Sequence, residues 1–392
     1  MKVELKKGIY WVGGIDWTIR DFHGYSTHKG STYNAYLVVG KKTALVDTVK
    51  APFFEEMMGR IREVMPPERI DYLIANHVEM DHSGSLPLFK KAFPKVEVLC
   101  SPRAEEELKL HYGDTIPLKT VKTGDVLELG GKTLTFVEIP MVHWPDSMVT
   151  YVKEEKVLLP NDAFGQHIAS TERFDDELGW DAIRPEAAKY YANIVMPYGP
   201  QVLKALEALQ GIEIEVIGPS HGIIWRKYIP EIVATYERWA KGETEKRVLV
   251  VYDTMWGSTE RMAAAICRGL VEEGVSTKMY RLRGADRSDI VQEVLEARGL
   301  VLGSPTLNNG VFPSVAEFSC YIKGLRPKGR LAAVFGSYGW GKGATTKALT
   351  ADLQAAGMEV MEELQVQFVP DGDALKHCEE LGRRVAQRIK QS

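Results

Sequence analysis

Four side chains able to hold a metal ion fall within six residues, His77-Val-Glu79-Met-Asp81-His82, directly after the apolar run Tyr72-Leu-Ile-Ala75. His77, Glu79 and Asp81 alternate, so an extended segment would turn all three to one side. Three more candidates each close an apolar, strand-like run: His143 in Met-Val-His-Trp-Pro, Asp162 in Pro-Asn-Asp-Ala-Phe-Gly, and His221 in Gly-Pro-Ser-His-Gly. A lone histidine after a strand is ordinarily a hydrogen-bonded core or surface residue. One strand end with two imidazoles and two carboxylates is an electrostatic liability unless a cation joins them. Imidazole and carboxylate donors without thiolate suit zinc, manganese or iron. Seven such donors, with Asp162 available as a bridge, imply two ions, and carboxylate-rich open coordination suits redox iron better than closed structural zinc.

A second constellation lies in the last third of the chain. Thr254-Met255-Trp256-Gly257-Ser258-Thr259 joins the strand-like Val-Leu-Val-Val-Tyr252 to a helix with Met262, Ala263, Ile266 and Leu270 at helical spacing. Hydroxyls and free N–H groups at a helix N-terminus bind phosphate without a basic residue. On its own this could be an ordinary N-cap, but it resembles the flavodoxin phosphate loop. Two further loops follow apolar runs: Ser304-Pro305-Thr306-Leu307-Asn308-Asn309-Gly310 and Ser337-Tyr338-Gly339-Trp340-Gly341. In flavodoxin-like order both flank an isoalloxazine at the strand C-termini, with glycines for close approach and Tyr338 or Trp340 to cover its face. Together they point to FMN. Gly336-x4-Gly341-Lys342 has the outline of a nucleotide-triphosphate loop, but Gly343 stands where the Mg2+-binding hydroxyl belongs.

The elements needed to position these residues divide the chain in two. Up to about residue 223, short strands mix with helices and long loops. Strands are expected at Tyr33-Asn-Ala-Tyr-Leu-Val-Val39 and Thr43-Ala-Leu-Val-Asp47, a helix near residues 53–65, and a hairpin across Gly130-Gly131. The charged stretch Lys-Gly-Glu-Thr-Glu-Lys-Arg at 241–247 marks the boundary, giving domains at 1–246 and 247–392. Beyond it, regular strand–loop–helix alternation implies a parallel sheet covered on both faces.

The bulk numbers fit two such domains. The 392 residues are 45% hydrophobic and 26% charged, with net charge -4, which gives no reason to expect nucleic acid or an anionic membrane as partner. Cys100, Cys267, Cys320 and Cys378 form no CxxC pair, so neither a zinc ribbon, an iron–sulfur framework nor a rubredoxin module is expected. The first residues lack the apolar core of a leader, and no apolar run approaches the ~18 residues of a membrane span. A soluble, cytoplasmic protein is expected.

The first half resembles the metallo-β-lactamase fold, whose hydrolases carry HxHxDH. Here the sequence reads His77-x-Glu79-x-Asp81-His82, and glutamate in place of the second histidine is the pattern of the flavodiiron proteins. This resemblance covers essentially the whole chain, including domain order. It implies an α/β and α+β architecture: a metallo-β-lactamase-like αββα sandwich followed by a flavodoxin-like doubly wound parallel sheet. It implies one iron on His77, Glu79 and His143, another on Asp81, His82 and His221, and Asp162 between them. His23 and Tyr191 are implied near the substrate pocket and His167 behind the ligands, whereas His28, His111 and His377 are left as surface residues.

The implied activity is reduction of O2 to water, of NO to N2O, or both. Electrons would pass through FMN from rubredoxin, a flavoprotein reductase or reduced F420, in a head-to-tail homodimer or a tetramer. A metal-dependent hydrolase with an accessory flavodoxin-like domain is the main rival. An electron carrier with a structural metal scaffold is the second.

Overall fold

The computed structural model describes residues 2–391. They form two compact units, one of residues up to Tyr190 together with Pro200–Glu237, the other of Tyr191–Gly199 and the chain from Arg238 onward. Among the described residues no helix is long and apolar enough to cross a membrane.

The first unit is built on two sheets. In the seven-stranded sheet, Tyr36–Val39 pairs antiparallel with Thr43–Val46, which runs parallel to Tyr72–Ala75 and, through it, to Glu97–Cys100 and Leu118–Thr120. Strand alternation sorts its side chains. Leu37, Leu45 and Leu73 face Met57, Met58 and Ile61 of the helix Phe54–Val64 and Phe89 of the helix Leu86–Ala92. Tyr36, Val38, Ala44, Val46 and Ile74 instead pack on Leu134, Phe136, Met148 and Leu159 of the five-stranded sheet. That sheet runs Val126–Glu128, Thr133–Glu138, Met148–Val152, Val157–Leu159, Val216–Ile217. Its outer face, with Val149, meets Val202 and Leu206 of the helix Gly199–Ala208 and Tyr236 of the helix Ile229–Lys241. The result is the expected αββα sandwich, with the Gly130-Gly131 hairpin in place.

One expected strand is broken. Tyr33 belongs to Ser31–Tyr33, which pairs with Gly14–Asp16, and the sheet resumes only at Tyr36. The break is Asn34, whose buried amide donates to Pro219 O at 2.8 Å and Gly222 O at 3.1 Å and accepts from Trp11 Nε1 at 2.7 Å. Asn34 therefore spends its hydrogen bonds on the backbone around His221 instead of on the ladder.

The second unit carries a parallel sheet in the order Ser276–Arg281, Glu245–Tyr252, Ala297–Leu307, Leu331–Tyr338, Glu359–Gln367. The helices Ser258–Glu272 and Gly372–Gln391 cross closely on one face. A Cβ at Gly269 or Gly382 would strike backbone carbonyl oxygens of the facing helix, Glu379 O and Ile266 O.

Candidate metal and flavin sites

The seven metal-ligand candidates come together. His77 follows the strand Tyr72–Ala75, and Glu79 precedes the helical turn Met80–Ser83 that carries Asp81 and His82. The extended geometry expected for the whole cluster thus ends at Glu79, and the turn sends the ligands to two centres. His77, Glu79, His143 and Asp162 form one group, and Asp81, His82 and His221 the other. Asp162 faces both. Its Oδ2 lies 3.0 Å from His143 Nε2 and 3.6 Å from His77 Nε2, while its Oδ1 lies 3.1 Å from His82 Nε2 and 3.5 Å from His221 Nε2. Asp81 Oδ2 is 3.0 Å from His221 Nε2, and Glu79 Oε2 is 3.4 Å from His77 Nε2.

These spacings fit metal ions. Donors about 2.0–2.2 Å from one ion stand roughly 3.0–3.5 Å from each other. The donors also want a cation: both Asp81 oxygens and both His82 nitrogens are buried without a well-directed hydrogen bond, although His221 and Asp162 stand within 3.1 Å, which is costly for polar groups left as they are. In the metal-free chain, burial opposes the charged form of His77 and His82, but neighbouring carboxylates overcome it. Asp146 chiefly raises His77 well above its ordinary range, and Asp81 with Asp162 lifts His82 to about 9.

Three supporting residues escape a reading of the sequence. Asp146 Oδ2 lies 2.9 Å from His77 Nδ1 and accepts Val78 N–H at 2.8 Å, which keeps the His77 proton on Nδ1 and aims Nε2 inward. His221 is held likewise by Thr32 O, 2.7 Å from its Nδ1. Asp47, in the left-handed region at φ 57°, accepts Asn76 N–H at 2.8 Å and Asn161 Nδ2–H at 3.2 Å, which ties two ligand-bearing loops together. Burial pushes its carboxyl up to about 6 despite those bonds. Asp146→Asn is expected to weaken ferrous binding about 10- to 100-fold with the fold intact, checked by anaerobic titration of the metal-free protein.

Of the pocket residues, His23 contacts Glu79 Oε1 and its ring stands 6.0 Å from that of His143. Tyr191 requires a correction: its ring packs on Trp239 at 5.1 Å, within the second unit. Its neighbour Tyr190 is the one turned to the metal cluster, with its ring 5.2 Å from His167 and 6.0 Å from His221 and its buried hydroxyl without a partner. Successive helical residues point about 100° apart, so only one of the two tyrosines can face the site. His167 is buried, with Nδ1 2.7 Å from Ser31 Oγ, and burial together with His221 holds it well below the ordinary imidazole range.

Gly222, at φ 78°, lets the backbone after His221 lie against Gln166, where any Cβ would collide with Gln166 Oε1 and O. Gln166 in turn accepts Ile223 N–H at 2.5 Å and donates to Ile223 O at 3.0 Å. Gly222→Ala should lower stability by about 1–3 kcal/mol through overpacking, with added backbone strain, and thermal unfolding of the metal-free protein measures it.

In the second unit, Met255, Trp256, Ser258, Pro305, Thr306, Ser337, Tyr338 and Gly339 line a cavity of about 210 Å3 at the C-terminal ends of the strands. Phe368 and Val369, which the sequence did not mark, complete it. Gly257 precedes the helix Ser258–Glu272 at φ 86° with no side-chain cap, so the N–H groups of the first turn are left for an anion. Thr254 supports that loop by accepting Gly257 N–H at 3.1 Å.

Thr259 is buried, with its hydroxyl 2.9 Å from that of Ser337, a residue that lines the cavity. One expectation changes here. Ser304 to Leu307 is not a loop but the end of a long strand that folds back through Asn308 and Asn309 to Gly310–Val311. Ser304 is buried and its hydroxyl accepts Phe312 N–H at 3.1 Å. Leu307, Asn308, Asn309, Gly310 and Gly341 are not among the residues that line the cavity, and Asn309 stands where a Cβ on Gly341 would fall. Trp340 also stands off the wall, 73% exposed, and Trp256 is 94% exposed.

Comparison with known proteins agrees with this geometry. Residues 32–222 match the family described as ODP family beta lactamase, and residues 250–382 match flavodoxin. A nitric oxide reductase of Moorella thermoacetica is 50% identical over 99% of this chain and 98% of its own. A coenzyme F420H(2) oxidase of Methanothermobacter marburgensis is 43% identical over the full length of both. Among solved structures, rubredoxin oxygen:oxidoreductase of Desulfovibrio gigas superposes with a TM-score of 0.97 at 39% identity, covering 100% of this chain and 99% of its own. The flavodiiron protein of Giardia intestinalis does so with 0.96 at 34%, covering 100% and 97%. Likeness of this extent, over a chain that brings seven imidazole and carboxylate donors to two centres, places the protein in the flavodiiron family of FMN- and iron-containing oxidoreductases.

Proposed function

We propose that this chain reduces O2 to water, NO to N2O, or both, at two irons held by the seven donors, with electrons entering through FMN. The observation that carries the proposal is Asp162, one carboxylate whose two oxygens serve two separate donor groups. In this assignment His77, Glu79 and His143 hold one iron and Asp81, His82 and His221 the other. His82 is the least anchored, since its Nδ1 has no partner whereas His77 and His221 each have one. Iron held there would supply redox chemistry and positions for the gas, and FMN held by the second unit would supply the electrons.

The residues around the donors have their own parts. Phe22, whose ring lies 4.6 Å from that of His167 and 5.4 Å from that of His221, walls the site with carbon. His23, partly exposed beside Glu79, and the Tyr190 hydroxyl are placed to hold protons, which either reduction consumes. The functional division is proposed at 1–246 and 247–392, as the family matches on either side support.

The names of the relatives support rubredoxin or reduced F420 as donors; a flavoprotein reductase is the further candidate. A head-to-tail homodimer, or a tetramer of such pairs, is proposed because Trp256 and Trp340 stand exposed at the flavin loops. A reducing, cytoplasmic setting is supported by four free cysteines. The hydrolase reading is disfavoured by Glu79 and by the oxidoreductases among the relatives.

The test is anaerobic reduction of iron- and FMN-loaded protein, then rapid mixing with O2 and NO separately. Flavin reoxidation with gas consumption is expected for at least one. Loaded protein that consumes neither gas, or zinc-loaded protein that cleaves a thioester, would overturn the proposal.

A further inference from the structure

Past the backbone bond from Asp253 N–H to Gly303 O at 3.2 Å, the loop to Gly257 has neither a ladder nor a helix to fix its shape, yet it must aim its N–H groups at a phosphate before the phosphate is there. What fixes it is a buried carboxylate. Asp253 has no exposed side-chain surface, and it accepts Thr254 N–H at 2.7 Å, Arg283 Nε–H at 2.9 and 3.1 Å, and Ser314 Oγ–H at 2.6 Å. Arg283 closes the ring by donating through Nη2 to Thr254 O, with its guanidinium 5.1 Å from the Phe312 ring centre. Thr254 is thereby held at both its N–H and its carbonyl, while its hydroxyl accepts Gly257 N–H. With Arg283 bound, the Thr254 carbonyl faces a cation.

We propose that Arg283, acting through Asp253 and Thr254, is a positioning residue that sets FMN affinity by holding the phosphate loop in its binding shape. The competing account is a half-exposed ion pair of purely structural value, which for surface pairs is small. Against it, the carboxylate is buried and the arginine spans two acceptors with its fork, a geometry lysine cannot copy. Because the clamp acts most directly on Thr254 in the phosphate loop, its effect should be largest for a ligand that has a phosphate.

The inference rests on FMN binding at these loops. The test uses the full chain freed of flavin and titrated with FMN and with riboflavin, read by flavin fluorescence. Wild type that binds neither sinks the FMN assignment itself. Given wild-type binding, Arg283→Met should weaken FMN about 10- to 100-fold, the worth of charge-assisted hydrogen bonds, and change riboflavin less than about threefold. Arg283→Lys should fall between, and Ser314→Ala, which removes one hydrogen bond to Asp253, should show a smaller loss of the same selectivity. If Arg283→Met does not fold, the lysine and alanine variants carry the test. Equal losses for both flavins, or unchanged FMN affinity, overturn the proposal.

Discussion

Replacing Asp162 by Asn is expected to leave a folded protein that binds its flavin, holds fewer than two irons and consumes O2 or NO at least about 100-fold more slowly, a loss above the usual range for an outer-shell partner. Asparagine keeps the shape but removes the charge and turns one oxygen into an N–H2 donor, which cannot ligate a cation. The oxygen lost would have faced either the His77–His143 centre or the His82–His221 centre. Charge points the same way. Glu79, Asp81 and Asp162 set three negative charges against the four positive charges of two ferrous ions, and the four histidines add none. Dropping to two raises the cost of keeping a second dication in a buried site. The flavin cavity draws no residue from the first unit, so FMN content should not move. Iron analysis, flavin absorbance and gas-electrode rates on one preparation decide it. Two irons and undiminished turnover would remove Asp162 as the bridge.

The ligands were legible in the sequence for a physical reason. His77, Asp162 and His221 each follow closely on a buried strand, and strands announce themselves by apolar runs, so chemistry-bearing residues at their C-terminal ends stand out. The supporting residues carry no such mark. Asp146, in Trp-Pro-Asp-Ser, reads as a turn residue, and only the fold shows it beneath His77. Tyr190 and Tyr191 are chemically identical in the sequence; one step of helical rotation decides which faces His221. The strand expected from Tyr33 to Val39 failed at Asn34, whose backbone N–H turns to Ser220 O at 2.7 Å while its side chain holds the carbonyls of Pro219 and Gly222. Phe368 and Val369 follow an edge strand with mixed exposure, so nothing in their pattern separates them from ordinary surface. Residues that do chemistry were visible by type and place, whereas those that aim them became visible only through contacts between distant segments.

Ferrous uptake by the metal-free protein should strengthen steeply with pH while the metal-free fold itself weakens. Iron binds only the deprotonated imidazole, and in the empty site His82 keeps its proton up to about 9 because Asp81 and Asp162 outweigh the opposing effect of burial. Each displaced proton makes affinity rise about tenfold per pH unit, so His82 alone should contribute roughly 100-fold between pH 7 and 9. His77, raised by Asp146, adds in the same direction. The fold responds oppositely. A raised imidazole stabilises the empty protein fully below its unfolded value near 6.5, and that support is lost as pH climbs through about 9. Glu79 and Asp162 lie below the ordinary carboxylate range, held there against burial chiefly by His23 and His82 respectively. Their support is present above the unfolded values near 4 and fades as pH falls through the folded ones. The support these pairs give the empty protein should therefore be fullest between about pH 4.5 and 6.5, where iron binds weakly, and there it is offset in part by His167, held neutral by burial, and by Asp47, whose carboxyl burial raises to about 6. Anaerobic calorimetry in two buffers of different ionisation enthalpy, from pH 6.5 to 8.5, counts the protons released, and thermal melts with and without iron give the diverging trends. His82→Asn should remove about one proton from the count at pH 7. Uptake that releases no proton and is flat with pH would mean that the imidazoles do not carry the metal.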